Sequence, residues 1–474
     1  MTTLTLLCIL AIVVWVGLTI TLRISNREKA RTGDLDLVDS ITTKARIIAT
    51  FQKVALLSSI ILLSALAFKL YHDNTAYMEP HILEWINLVV RWTHVVFGIA
   101  WIGASFYFIF LENSLNRTEG LKDDIAGNLW ALHGGGFYYI EKYKVAPEKI
   151  PQHLHWFKYE AYFTWLTGFL LLFLVYYFNA SSFLIDKQVL DIEPNTGVAI
   201  GIGSLVVSWI FYDVLCKSPL VNKNFLFLVI MFLFTAGAAY VLSNVFSARA
   251  AYIHVGALLG TIMAANVFFV IIPSQKALVQ AAKDGTELDV TLGQKAGLRS
   301  LHNNYFTLPV VFVMISSHYP STYGSEWNWA VLAGLSAVSI GVKHFWNIYE
   351  QGELYNRWLL PAAVIGLIAL ALVTAPSNPA TRLKDARAVS FQEVQAIINE
   401  RCTNCHSATP TDKVWATAPN GIMFDTPEQI VNMTDRILNR AVITRTMPQA
   451  NQTGMKQEER DAIEIWIYQG AKIK

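Results

Sequence analysis

The chain has 474 residues, of which 54% are hydrophobic and only 15% charged, and its net charge is +2 at pH 7. Soluble domains carry roughly 25% charged residues, so this composition excludes an ordinary soluble protein and indicates a membrane protein. No basic cluster with interleaved aromatic residues suggests a nucleic-acid partner. Four scattered cysteines, Cys8, Cys216, Cys402 and Cys405, indicate no disulfide framework.

Ten apolar runs follow one another along the chain, each a candidate to cross a bilayer. They cover residues 3–22, 48–70, 84–112, 159–179, 198–215, 224–243, 249–273, 304–318, 327–345 and 358–375. The first run could be a signal peptide, but it lacks a basic start and a cleavage site, so we interpret it as a retained helix. The run at 304–318 is short, and without it nine spans would remain.

Basic residues alternate between the loops that join these runs. The segments 23–46 and 113–158 hold six Lys and Arg residues each, whereas 71–83 and 318–326 hold none. Lys217 with Lys223, and Lys343 with Arg357, mark two shorter basic loops. Because basic loops face the cytoplasm, this pattern predicts ten spans with both termini outside.

Ionisable residues in the third run are functional candidates, because charge at membrane depth is costly. Arg91 and His94 share one helix face, and Gly98 and Gly103 would allow a helix or a planar cofactor to approach closely. With His254 of the seventh run, His94 could bind a b-type haem, and Arg91 could neutralise a propionate. The alternative is that both histidines are hydrogen-bonded to neighbouring helices.

A second polar set is expected at the cytoplasmic side. It comprises His133 beside three glycines, His153, His155, Glu160, Asp213, His302 followed by Asn303 and Asn304, and His344. Isolated histidines at a membrane boundary are often only solvated, but as a group they indicate a cytoplasm-facing site. We take His133, His302, Asn303 and His344 as the candidate catalytic residues.

The run Cys402-Thr-Asn-Cys405-His406 is typical of covalent attachment of a c-type haem. Both thiols would form thioethers, and His406 would bind the iron. A zinc half-site would need further ligands, and a thioredoxin-like motif would need a βαβ context. Since c-type haem is attached outside the cytoplasm, the motif agrees with an outside C-terminus.

The residues around this motif predict a small α-helical domain. A linker at 377–390 separates it from the membrane region 1–376, and helices are expected at Phe391–Cys402, Thr426–Asn439 and Lys456–Tyr468 of the domain 391–474. Met447, in a loop before Pro448, is the favoured second iron ligand. Met423, Met433 and Met455 compete with it. The predicted fold class is therefore all-α, a polytopic membrane domain followed by a cytochrome c-like domain.

Several motifs taken together resemble one protein family. They are Arg91-Trp-Thr-His94 with Gly98-Ile-Ala-Trp101-Ile-Gly103, His133-Gly-Gly-Gly-Phe137, His302-Asn-Asn-Tyr-Phe-Thr-Leu-Pro309, and in the tail Gly421-Ile-Met-Phe-Asp425-Thr-Pro-Glu428, Met447-Pro448 and Glu458-Glu459-Arg460. This combination resembles the membrane-bound urate oxidases of bacteria, which join an integral membrane domain to a C-terminal cytochrome c. No set of catalytic residues carries over from the resemblance.

The resemblance implies a role in purine catabolism, the oxidation of urate to 5-hydroxyisourate. Electrons would leave through haem c to a soluble cytochrome c or a terminal oxidase, without peroxide, and a membrane haem b would help to store them. Water would supply the hydroxyl oxygen, with a histidine as general base. The protein would lie in the lipid of the bacterial inner membrane, with its cytochrome domain on the periplasmic side.

Two other functions fit the same residues. One is a cytochrome-linked dehydrogenase for quinol or another small reductant. The other is a permease or electron-relay subunit whose partner performs the chemistry.

Overall fold

The computed structural model describes residues 75–118, 120–147, 149–376, 383, 386–412 and 414–473, with side chains from His81 onward. The predicted spans at 3–22 and 48–70, and Cys8, lie outside the described residues. The predicted linker is described only in part.

Long helices dominate the first part of the described chain. The helices of this part, with the two single-turn helices α3 and α9 included, are α1 Thr75–Ser114, α2 Tyr159–Leu172, α3 Ala180–Phe183, α4 Pro194–Lys217, α5 Asn224–Ser243, α6 Ala248–Ala265, α7 Ile272–Asp284, α8 Val290–Ser316, α9 Pro320–Tyr323, α10 Asn328–Tyr349 and α11 Leu359–Val373. Large apolar side chains on their outer faces remain exposed, among them Ile99 at 68% and Leu233 at 62%. Such an apolar exterior is what a lipid-facing surface requires.

Six helices among the described residues are long and apolar enough to cross a membrane. They are His81–Ser114, Tyr159–Tyr177, Pro194–Lys217, Asn224–Ser243, Ala248–Asp284 and Asn328–Tyr349, and they coincide with six of the predicted runs. The run at 304–318 lies in the more polar helix α8, and the run at 358–375 forms the short helix α11. The total of ten spans stays a prediction.

A β-hairpin departs from the predicted all-α fold. Strands β1 Ile125–His133 and β2 Gly136–Tyr143 pair antiparallel, with Trp130 opposite Tyr139. The turn between them is Gly134-Gly135, and both glycines have positive φ, +57° and +78°. Two-residue hairpin turns of this kind need positive φ at both positions, which glycine adopts without strain. Of the three glycines after His133, two therefore form the turn and the third begins β2.

Two π-helical segments interrupt the membrane helices, at Phe173–Tyr177 after α2 and at Asn266–Ile271 between α6 and α7. A short π segment inside an α-helix changes the direction in which the side chains after it point, and such segments occur frequently at functional sites. The second segment begins with Asn266, which is fully buried.

Helix α6 is the centre of the membrane core. Eleven of its eighteen residues are buried, and it packs against α4, α5 and α8. A Cβ added to Gly256 would lie 2.5 Å from Cγ1 of Val313 on α8. Glycine at this position therefore permits α6 and α8 to pack closely.

The C-terminal region has its own small core, which includes Val394, Ile398, Met455 and Trp466. Its helices are α12 Phe391–Arg401, α13 Pro427–Asn432, α14 Thr434–Ile437 and α15 Gln457–Tyr468, with a π segment at Leu438–Ile443. The first and last helices lie where the sequence predicts them. The predicted single helix over Thr426–Asn439 is wrong, because Met433 takes a non-helical conformation and divides it.

The C-terminal region contacts two loops at one end of the membrane helices. Gln188 donates from Nε2 to the carbonyl of Met455 over 3.2 Å, and the rings of Phe183 and Trp415 lie 6.3 Å apart. In the second loop, a Cβ on Gly324 would lie 2.3 Å from the carbonyl oxygen of Thr444. Both loops fall in segments for which the charge pattern predicts the outer side.

Candidate functional site

Four consecutive residues of α8, from His302 to Tyr305, each contact a different side chain on a neighbouring helix or π segment. His302 contacts α4, Asn303 contacts the π segment after α6, and Asn304 and Tyr305 contact α10. Adjacent helical positions point about 100° apart, so such a run can join several helices at once. The motif singled out in the sequence therefore lies at a helix junction.

On the α4 side, a buried polar network surrounds Tyr212. Its Oη lies 2.9 Å from Nδ1 of His302, and Nδ2 of Asn266 donates to the same Oη over 3.0 Å. Nδ2 of Asn266 also donates to Oδ1 of Asn303 over 2.8 Å. The ring of His302 stacks on Phe227 at 4.6 Å between centroids. The network thus holds the orientation of the His302 ring from two sides.

Arg299 fixes the direction of the hydrogen bonds in this network. Its Nη1 donates to Oδ1 of Asn266 over 3.0 Å, and a guanidinium can only donate. The amide of Asn266 must therefore present Nδ2 to Tyr212. Oη of Tyr212 thus accepts from Asn266 and can donate its own proton to Nδ1 of His302, which Sγ of Cys216 also approaches to 3.9 Å. A neutral His302 then carries its proton on Nε2.

Asp213 neutralises the buried guanidinium. Nη2 of Arg299 lies 2.8 Å from Oδ1 of Asp213, and Nζ of Lys217 lies 2.6 Å from its Oδ2. The Arg299 side chain is 7% exposed, so it needs such a partner. The result is an ion pair that supports the Asn266–Tyr212–His302 chain.

On the other side of α8, a second polar group joins α8 to α10. Nδ2 of Asn304 donates to Oδ1 of Asn347 over 3.1 Å, and Oη of Tyr305 lies 2.8 Å from Nδ1 of His344. Lys343 lies one turn before Asn347 and is buried inside α10. The charge pattern assigns it to a basic loop, and that prediction is wrong. His302, Asn303 and His344 are therefore all grouped around one part of α8.

His133 does not belong to this group. It pairs with Gly136 at the end of the exposed hairpin, where the structure records no side-chain contact to the network. His155 lies 4.0 Å from Glu160, in an exposed position before α2. The structure thus places three of the four candidate catalytic residues around one part of α8, in two groups on different sides of the helix, and leaves His133 apart.

His94 and His254 each make hydrogen bonds to neighbouring groups. Nδ1 of His94 contacts the carbonyl of Thr164 at 3.0 Å, and a Cβ on Gly168 would lie 2.9 Å from its Cε1. Both ring nitrogens of His254 are engaged, Nδ1 with the carbonyl of Ala250 at 2.8 Å and Nε2 with Oη of Tyr177 at 3.1 Å. These contacts are those of hydrogen-bonded core histidines.

Arg91, the proposed partner of a haem b propionate, contacts the side chain of Asn87 one turn earlier on α1. Its Nε and Nη2 lie 3.2 and 3.1 Å from Oδ1 of Asn87. The side chain is exposed. These contacts leave the predicted role in propionate binding untested.

The Cys402–His406 motif follows helix α12. Nδ1 of His406 lies 3.0 Å from the carbonyl of Ile422, so it donates there and leaves Nε2 for a metal. Cys402 and Cys405 are both free thiols. Burial raises the pKa of Cys402 to about 12 and that of Cys405 to about 11. The donor set fits a c-type haem, because the thiols are unpaired and the histidine is oriented.

The methionines of this region differ in their surroundings. Met455 is fully buried in the small core, as a packing residue would be. Met447 is partly exposed, and its backbone is fixed at both ends: its N–H donates to Arg440, and its carbonyl accepts from Nη1 of Arg460 over 2.8 Å. Burial lowers the pKa of Arg460. A fixed, partly exposed methionine suits an axial ligand better than a core methionine does.

No three His, Cys, Asp or Glu side chains come together as a metal site within the ranges that the structure describes. Within those ranges, no further ligands therefore complete a zinc site at the Cys402–His406 motif.

Sequence reasoning did not single out Tyr212, Asn266, Arg299 or Lys343 as site residues. Asn266 could have been found, because it is a polar residue inside the apolar run 249–273. The prediction of Lys343 as a loop charge is wrong, because the helix continues beyond the apolar run to Tyr349. Tyr212 gives no signal, because tyrosines are common in membrane helices.

Comparison with known proteins gives one match. The sequence profile described as "Urate oxidase N-terminal" matches residues 80–375, which is more than half of the chain and includes both polar groups around α8. No curated protein and no solved structure matches the chain. From the profile match we conclude that the chain belongs to the urate oxidase N-terminal family.

Proposed function

We propose that the membrane region oxidises urate to 5-hydroxyisourate, and that the electrons leave through a haem c in the C-terminal region. The reaction balances as urate and water giving 5-hydroxyisourate, two protons and two electrons. The observation that carries the proposal is the family match over 80–375, since the residues matched include the buried network at His302.

The residues around α8 support the chemistry that this reaction needs. Neutral His302 offers an N–H at Nε2, which can donate to an oxygen or nitrogen of a bound urate. Its Nδ1 accepts the proton of Tyr212, so His302 would act as a base at Nδ1 only through that hydroxyl. The ion pair of Arg299 and Asp213 supports this arrangement, because Arg299 also holds Asn266 in place. His344 is the second candidate for the general base, and its Nδ1 is likewise paired with a tyrosine hydroxyl, that of Tyr305.

Cys402, Cys405 and His406 would hold the haem c, and Met447 would be the second ligand. When bound, the haem supplies an acceptor that takes one electron at a time. The bond from His406 to Ile422 orients the imidazole for this role. Arg460 fixes the carbonyl of Met447 and thereby the loop that carries its thioether.

The contacts between the C-terminal region and the membrane helices support an electron path within one chain. The segment that precedes Met447 packs directly on Gly324, and Met455 accepts a hydrogen bond from Gln188. Because the loops contacted are those predicted to lie outside, the C-terminal region would be on the periplasmic side of the inner membrane. A soluble cytochrome c or a terminal oxidase would then receive the electrons.

A b-type haem held by His94 and His254 fits this geometry poorly. His254 uses both ring nitrogens, so iron binding would require Tyr177 to give up Nε2. We therefore assign no step to such a haem. Chemical extraction of the purified protein tests this point, since a single covalent haem with no extractable b haem leaves no role for the pair as ligands.

The proposal is tested by the source of the product's oxygen. Purified protein, supplied with an oxidised soluble cytochrome c as acceptor and ¹⁸O-labelled water, should form labelled 5-hydroxyisourate without hydrogen peroxide. Label from dioxygen, or peroxide formed in proportion to product, would contradict it. Reduction of the acceptor by quinol but not by urate would indicate the dehydrogenase alternative instead.

A further inference from the structure

Asn304 and Asn347 form a buried amide pair that is only half satisfied. Asn304 is 0% exposed and Asn347 is 4% exposed. One hydrogen bond of 3.1 Å joins them, from Nδ2 of Asn304 to Oδ1 of Asn347. Among the residues that the structure describes, Oδ1 of Asn304 and Nδ2 of Asn347 have no hydrogen-bond partner of good geometry, and the Asn347 side chain interacts besides only with Tyr305. Buried polar atoms nearly always have partners, so these two atoms point to a ligand.

The character of the free atoms does not depend on how the amides are oriented. A hydrogen bond between two amides uses the nitrogen of one and the oxygen of the other. If both side chains were turned over, the free atoms would again be one oxygen and one nitrogen. The pair therefore always offers one acceptor and one donor, on adjacent side chains.

A buried cation lies one helical turn from this pair. Lys343 is 4% exposed, and its Nζ lies 3.9 Å from the ring centroid of Phe106 on α1. No carboxylate within the described ranges lies at ion-pair distance from it. Glu350, the carboxylate whose charge acts on Lys343, accepts a hydrogen bond from Asn113 instead. A buried ammonium of this kind requires an anion nearby.

The group is held between three helices. Nδ2 of Asn113, near the end of α1, donates to the carbonyl of Asn347 over 3.2 Å and to Oε2 of Glu350 over 3.1 Å. Asn304 belongs to α8, and Lys343 and Asn347 belong to α10. Side chains fixed on three helices keep a constant geometry, as recognition of a small rigid ligand requires.

We propose that Asn304, Asn347 and Lys343 bind the substrate, as a site for a planar anion that carries a ring N–H beside a ring C=O. The N–H would donate to Asn304, the C=O would accept from Asn347, and the negative charge would lie near Lys343. An oxopurine anion such as urate has these features, so the site rests on the proposed function and adds its recognition residues. A buried water bridging the two amides is the competing explanation.

Singly N-methylated urates test this site, because each blocks one N–H. With the wild-type holoprotein, the isomer blocked at the recognised N–H should have a KM raised roughly 10- to 100-fold over urate. Asn304→Ala removes the acceptor, so its KM values for urate and for that isomer should become similar. Asn328→Ala removes a buried amide at the other end of α10. In this variant, the KM values of the methylated isomers should follow the same order as in the wild type.

Lys343→Met tests the charge. It should raise the KM for anionic urate at least tenfold while the spectrum of haem c stays that of the wild type. If Asn304→Ala changes KM equally for urate and every isomer, the amide pair is only structural and the inference is overturned. A wild-type protein that does not oxidise urate would overturn the proposed function, and this site with it.

Discussion

The hydroxyl of Tyr212 lies 2.9 Å from Nδ1 of His302, and Arg299 orients the Asn266 amide that donates to the same hydroxyl. A permanent cation is thus connected to a histidine through a chain of three hydrogen bonds. This relation links the sequence motif at His302 to residues on two other elements.

Tyr212→Phe should impair the reaction without unfolding the protein. The variant keeps the ring but removes the proton that His302 accepts, so the tautomer is no longer fixed. Urate-driven reduction of haem c should slow by roughly 10²–10⁴-fold, the range for loss of a positioned proton donor or acceptor. Stopped-flow absorbance of the haem measures this rate.

Tyr240→Phe is the matched control, because Tyr240 is an exposed tyrosine on α5 whose side chain, among the described residues, has a ring contact with Trp329 and no recorded hydrogen bond. Its rate should equal that of the wild type. An unchanged rate in Tyr212→Phe would remove Tyr212 and its bond to His302 from the mechanism.

Gly324→Ala should weaken the contact between the C-terminal region and the membrane helices. The added Cβ would meet the carbonyl oxygen of Thr444 at 2.3 Å, so one of the two segments must move. Electron transfer depends steeply on distance, and urate-driven haem reduction should therefore slow while reduction by dithionite does not. Gly237→Ala, where an added Cβ meets nothing within 4 Å, serves as the control. If urate reduces the haem equally fast in both variants, the contact of Gly324 with Thr444 does not contribute to electron transfer.

Glu459→Gln should destabilise the C-terminal region. Arg401 binds the carboxylate of Glu459 through Nε and Nη2 at 2.8–3.1 Å, next to Cys402. Loss of the charge should lower the free energy of unfolding by about 1–2 kcal/mol. Thermal unfolding followed at the haem absorbance measures it, with Glu458→Gln, an exposed neighbour, expected to match the wild type.

The same ion pair predicts a pH dependence. Although burial raises it, the hydrogen bonds from Arg401 hold the pKa of Glu459 below its ordinary value of 4.5. A carboxyl with a lowered pKa stabilises the folded state above that ordinary value, and the contribution is lost as the pH falls through the lowered pKa. The difference in unfolding temperature between wild type and Glu459→Gln should therefore shrink as the pH falls below 4.5 and disappear once the pH lies below the lowered pKa. A difference that persists there would show that the pair does not act through its charge.

Met447→Ala should remove the second iron ligand. The ferric protein should lose the charge-transfer band of methionine-ligated haem, and its reduction potential should fall. Met423→Ala should leave both unchanged. If Met423→Ala loses the band and lowers the potential while Met447→Ala does neither, Met423 is the second iron ligand.

The helices of the fold could be predicted from the sequence because apolar length alone specifies a membrane helix. The hairpin could not, since the residues around His133 lie in a basic segment that was counted only for its charge. The Cys402–His406 motif is local in sequence, so its spacing was sufficient. The network around Tyr212 depends on contacts between positions about 90 residues apart, such as Tyr212 with His302, which no local pattern encodes.

Lys343 shows most clearly what could not be predicted from the sequence. In sequence it is a lysine near the end of an apolar run, and such lysines usually face water. In the structure it lies buried over the ring of Phe106, because α10 continues to Tyr349. Helix ends are the least reliable part of a sequence-based prediction, and here the end decides whether the charge is buried.

The most direct test of the central claim is the anaerobic addition of urate to the purified, oxidised protein with no other partner present. The account predicts that haem c becomes reduced, with two haems reduced for each urate converted to 5-hydroxyisourate. A haem c that stays oxidised with urate, but is reduced by dithionite or quinol, would contradict it.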